Sequence, residues 1–143
     1  MTTLIKPPKS FWVIAVLALL WNLIGVSQFF MATFMLDSMV ANLPEVQADM
    51  YRSIPLWYTI SFAITVFSGL LGGITMLLRK KITIALFGIS LLAVLVAQGY
   101  WILGTDVMEV MGTSTVIMPL IVIVISIFLY FYNKGAAKNG WFK

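Results

Sequence analysis

Residues 11–36 read FWVIAVLALLWNLIGVSQFFMATFML, and no side chain in that stretch carries a charge. At about 1.5 Å per residue, a helix over this run is longer than the ~30 Å hydrocarbon layer of a bilayer, with length left for tilt. A secretory signal core is shorter. This run carries Trp21 and Asn22 in its middle and has no A-x-A site after it, so it is expected to stay in the mature chain. Similar runs follow at about 55–78, 82–103 and 114–133. Of 143 residues, 62% are hydrophobic and 10% charged, with the charges clustered between the apolar runs, which excludes a water-soluble globule. The expected fold is all-α integral membrane: one domain, a four-transmembrane-helix bundle with a short extracytoplasmic amphipathic helix.

Polar residues punctuate the runs. Arg79, Lys80 and Lys81 leave so short an elbow between the second and third spans that these must be antiparallel neighbours. Asn42, Pro44 and Glu45 resemble a capping box opening an interfacial helix over about 43–53. On it Val46, Met50 and Ile54 form an apolar stripe at i, i+4, i+8. Ser53 is the expected N-cap of the second span, Pro119 falls in the first turns of the fourth, and Gly135 is expected to end the fourth at C′. Trp141 and Phe142 are expected to fold back onto the inner leaflet.

With this layout Lys6, Lys9, Arg79, Lys80, Lys81, Lys134, Lys138 and Lys143 share one side, and Arg52 stands alone on the other. The positive-inside rule then places both termini in the cytoplasm, with the membrane crossed as a multi-pass protein. Asp37, Glu45, Asp49, Asp106 and Glu109 all fall outside, with Asp49 the expected partner of Arg52.

Stepping 100° per residue along the first span gathers Ala15, Ala18, Trp21, Asn22, Gly25, Gln28, Phe29 and Ala32 on one face, opposite bulky aliphatics. Tyr58, Ser61, Thr65, Ser68, Gly69 and Gly72 do the same on the second, and Ser90, Ala97, Gln98 and Trp101 on the third. The fourth offers only Ser126 and is expected to be the greasiest and most lipid-exposed. Gly25, Gly69, Gly72 and Gly73 are the expected helix-packing positions. The pair Gly69 and Gly73 forms a GxxxG motif that suits packing within the bundle or across a homodimer. The expected ligand-binding set is Trp21, Asn22, Gln28, Tyr58, Ser61, Thr65, Gln98 and Trp101. These read either as a small polar pocket opening outward or as interhelical hydrogen-bonding glue.

Cysteine and histidine are both absent, which removes thiolate and imidazole metal ligands and the commonest general base. No phosphate loop or nucleophile–base pair is present, so no catalytic residue, enzyme activity, metal or cofactor is expected. The spans contain no Asp, Glu, Lys or Arg, which argues against proton-driven transport. The net charge of +4 comes from cations beside apolar spans, so nucleic acid is not an expected partner; lipid bilayer is.

The segments FWVIAVLALLWNLIGV (11–26), GLLGGITMLLRKK (69–81) and IMPLIVIVISIFLYFY (117–132) resemble those of small uncharacterised bacterial four-span inner-membrane proteins, some of which carry an untested sugar-transporter label. The resemblance implies transport across a bacterial cytoplasmic (inner) membrane and brings no established binding residues with it. The expected function is therefore binding or facilitated passage of a small neutral or amphipathic solute, by a homo-oligomer. The alternative is a structural or regulatory accessory subunit of a larger membrane complex.

Overall fold

The computed structural model describes residues 5–104, 109, 112 and 116–142. Helix α1 (Lys9–Phe34) is followed by two short helices, α2 (Leu36–Val40) and α3 (Glu45–Arg52). Then come α4 (Leu56–Leu77), α5 (Ile82–Gly99) with a π-helical turn (Tyr100–Gly104) at its end, and α6 (Ile117–Lys138). α1, α4, α5 extended through its π turn, and α6 are each long and apolar enough to cross a membrane, so the chain is an all-α, multi-pass membrane bundle.

Backbones approach most closely where side chains are smallest. A β-carbon at Gly73 would sit 3.2 Å from the Leu19 Cα, and one at Gly25 would sit 3.1 Å from a Val66 methyl, so α1 lies tightly on α4. A β-carbon at Gly72 would meet the Phe87 ring at 3.0 Å, which sets α4 against α5. The extensive contacts run α1–α4, α4–α5 and α5–α6, and no comparable approach joins α1 to α6 among the described residues. The GxxxG pair is thus used inside the subunit.

At one end of the bundle this row is drawn together by both termini. Phe11, Ala15, Ala18, Met76, Phe87, Leu129, Ala136 and Phe142 form one buried cluster, and the Phe11 ring meets Trp12, Trp141 and Phe142 edge-on. Ile5 donates its amide to the Gly140 carbonyl at 2.8 Å. At the opposite end α2 and α3 cross the mouth of the bundle, with Tyr51 of α3 against Trp101 of the π turn at 5.5 Å.

Several local expectations change. α6 runs through Gly135 to Lys138, and Gly140 (φ 79) is C′ of a Schellman motif, with Gly140 N–H to Ala137 O and Trp141 N–H to Ala136 O, both 3.0 Å. Trp141 and Phe142 accordingly fold back onto the helix bundle and its aromatic cluster. Pro44 and Pro55 precede α3 and α4 with no side-chain cap. Ser53 closes α3, its Oγ donating to Asp49 O at 2.7 Å, rather than opening α4. α3 turns Ala48 inward and leaves Val46 exposed, because the helix has ended before Ile54 can extend the stripe. Arg52 pairs with Asp37 at 3.7 Å rather than with Asp49, since α2 folds alongside α3. α1, not α6, has the smaller buried share of its span, 11% against 17%, because α6 seats Pro119, Leu129, Asn133 and Ala136 inward while α1 packs mainly on α4. The expected start of the fourth span at Ser114, and Asp106, lie outside the described residues.

Candidate functional site

Beyond the packed half the same helices diverge around a cavity of about 750 Å³, within the range of small-molecule sites. Its floor is shared with the buried cluster through Phe87 and Leu129, with Asn22 beside them, and its rim is formed by Tyr51, Arg52 and Ile54. α1 lines it through Trp21, Gly25 and Gln28, and α6 through Met118, Val122 and Ser126.

The floor is built around one glycine. A β-carbon at Gly69 would run into Oδ1 and Cγ of Asn22 and lie 3.3 Å from Ser90 Oγ, so the missing side chain makes room for polar groups of α1 and α5. Asn22 Nδ2 donates to its own helix at Ala18 O, 2.8 Å away, and Thr65 Oγ1 donates to Ser61 O at 2.9 Å. Ser126 Oγ does likewise to Val122 O at 2.9 Å. These are i−4 back-bonds that satisfy donors within lipid-spanning helices and do not tie helices together. Interhelical glue is supplied instead by Ser90, whose Oγ donates to Thr65 O of α4 at 2.8 Å.

One wall is aromatic from rim to mid-depth. Tyr51 meets Trp101, Trp101 lies 6.3 Å from Tyr58, Tyr58 stacks near Phe62 at 6.5 Å, and Phe62 stacks on Phe29 at 5.8 Å. The rings come from α3, the π turn, α4 and α1, so the ladder exists only in the assembled fold. Burial pushes the Tyr51 phenol up, which keeps it a neutral hydrogen-bond donor at the rim at neutral pH. In the same half of the cavity Gln28 and Gln98 face the space, and their side-chain amides have no hydrogen-bond partner among the described residues.

Of the residues expected to bind, Trp21, Asn22, Gln28, Tyr58, Thr65, Gln98 and Trp101 come together here, and Ser61 does not line the cavity. Its carbonyl is instead the acceptor for Thr65. Sequence reasoning missed Arg52 and Tyr51, because an apolar stripe on the interfacial helix does not say which of its other side chains reach the cavity. Phe29, expected on the inward face of the first span, does line the cavity, whereas Phe62 was missed, since it lies outside the small and polar face by which the second span was read. Among the described residues no group of His, Cys, Asp or Glu is placed to hold a metal ion. Comparison with family models, with curated proteins and with solved structures finds no match.

Proposed function

We propose that this chain binds a small neutral or amphipathic solute in the cavity, and that it does so in a bacterial cytoplasmic membrane with both termini in the cytoplasm. The observation that carries the reading is the pair of unpartnered amides, Gln28 and Gln98, set in an aromatic-walled cavity of about 750 Å³. Gln28 is exposed and Gln98 half-buried, so both amides are open to the cavity, where a solute bearing hydroxyl or carbonyl groups would meet them. The absence of a charged side chain from the spans argues against ion- or proton-driven movement and suits downhill movement. The orientation rests on the segregation of lysine and arginine, which puts the packed end inside and the cavity mouth outside.

Facilitated passage would need a way through the packed half, by its opening or by pairing of subunits into a homo-oligomer. No catalytic role is proposed. The solute-binding reading is preferred to that of an accessory subunit because Gly69 and Gly73, which would offer a partner its closest approach, are occupied within the bundle. Thermal unfolding of the purified full chain against a panel of sugars and alkyl glycosides tests the proposal. A ligand that raises the midpoint of the parent should bind Gln98→Leu and Asn22→Leu at least about tenfold more weakly, as expected when a buried polar partner is lost. A panel-wide absence of stabilisation, or shifts unchanged in both variants, would refute it.

A further inference from the structure

The cavity has a polarity along its length that names a class of occupant. Among the described residues Arg52 is the single basic residue lining it and sits at the rim, while the floor is Asn22, Phe87 and Leu129. The ion pair of Arg52 with Asp37 is long, at 3.7 Å, and its Asp37 side chain is 96% exposed, so water screens it and an incoming anion can displace it. From rim to floor the lining of α6 spans Met118 to Leu129 and that of α1 spans Trp21 to Thr33, about 16–18 Å of helix at 1.5 Å per residue. This axis runs from the depth of the headgroups toward the bilayer centre, the direction in which a membrane-dissolved acyl chain already lies. α1 and α6 both line the cavity without the close backbone approach that joins the other neighbours among the described residues, so the gap between them is where the cavity can open toward lipid.

We propose that the cavity takes a single-chain carboxylate, a long-chain fatty acid, with its carboxylate on Arg52 and its chain against the aromatic ladder. This rests on the solute-binding reading and narrows it to an amphiphile of one negative charge. The lone guanidinium matches a carboxylate in charge and in its two-oxygen fork. A phosphate monoester head brings about −1.5 to −2 charges, and among the described residues no second cation lines the rim to meet it. Entry through the α1–α6 seam keeps the head at its own depth throughout.

The test uses the full chain in phosphatidylcholine nanodiscs with a palmitic acid bearing a diazirine on its chain. Light-induced labelling should be saturable and map to residues 21–33 and 118–129. Excess palmitate should compete it away, and methyl palmitate should not. Arg52→Gln should weaken saturable labelling about tenfold, the size expected for a lost charge-assisted hydrogen bond, and Arg52→Lys should fall between. Arg52 is half exposed, so its variants should keep the parent's melting temperature, which is checked alongside. Equal competition by the methyl ester together with an unchanged Arg52→Gln would overturn the carboxylate assignment while leaving solute binding in place. Unsaturable labelling spread over lipid-facing positions such as Leu20 and Val124 would overturn occupancy by a chain altogether.

Discussion

A methyl group added at Gly69 would enter space held by the Asn22 amide and press on Ser90, both of which come from other helices and neither of which can retreat without leaving its own hydrogen bond. Gly69→Ala should therefore lose about 1–3 kcal/mol, the usual range for overpacking, read as a lower unfolding midpoint in mild detergent. Gly135→Ala should go the other way. Nothing lies within 4 Å of the β-carbon it would gain, and the residue sits inside α6, where alanine is favoured over glycine by about 0.5–1 kcal/mol. Had Gly135 been the left-handed stop that its setting after Lys134 suggests, alanine there would destabilise, so the sign of the change separates the two descriptions. The contrast also explains what the sequence could reveal. Gly69 was legible as a packing position because a helical face of small and polar residues repeats along the second span. Gly135 and Gly140 have like polar neighbours, and only the hydrogen bonds of Ala136 and Ala137 decide which one ends the helix.

The elbow between α4 and α5 shows what one element does for the others. α4 ends in a Schellman motif like that of α6, with Arg79 N–H to Met76 O and Lys80 N–H to Thr75 O, yet the residue in the left-handed position (φ 56) is arginine where glycine is usual. Its side chain accounts for the choice. Nε donates to Trp141 O at 2.8 Å and Nη2 to Ile5 O at 2.9 Å, so one guanidinium fastens the elbow to both terminal segments and to the cap of α6. Arg79→Ala should lose these bonds and keep the backbone strain. Arg79→Gly should lose the bonds and relieve the strain, and so be the more stable of the two by about 1 kcal/mol, with both below the parent. Denaturant unfolding compares the three, and hydrogen exchange at Gly140 and Trp141 should quicken in both variants; an order of Ala above Gly would remove the strain argument. From the sequence, Arg79 counted as one of three equivalent cations fixing orientation. The positive-inside rule sums charge and is blind to bonds spanning 62 and 74 residues, so the hairpin was readable and the fastening was not.

At the scale of the molecule the bundle is packed at the end where its termini meet and hollow at the other, and one chemistry produces both halves. Small residues at Ala15, Ala18, Gly72 and Gly73 let α1, α4 and α5 close around Phe11, Met76 and Phe87. Toward the other end the inward positions pass to larger and polar groups, Gln28, Thr65, Gln98 and Trp101, which hold the helices apart. The inward faces of the first three spans could be read residue by residue for this reason. The emptiness between them could not, because helical periodicity gives direction and says nothing of distance. The chain has no native cysteine, so single cysteines report the asymmetry without background. In oriented vesicles, an impermeant thiol reagent supplied from the periplasmic side should modify Gln98→Cys in the cavity and Val46→Cys on the exposed face of α3. Lys80→Cys should react only from the cytoplasmic side, and Ala136→Cys, buried in the packed half, at least about a hundredfold more slowly from either, since thiol reactivity follows access. Reaction of Lys80→Cys from the periplasm would invert the orientation and carry the cavity mouth to the other compartment. Reaction of Ala136→Cys as fast as Gln98→Cys would mean that water crosses the packed half, and the molecule would then be an open path rather than a one-ended binding site.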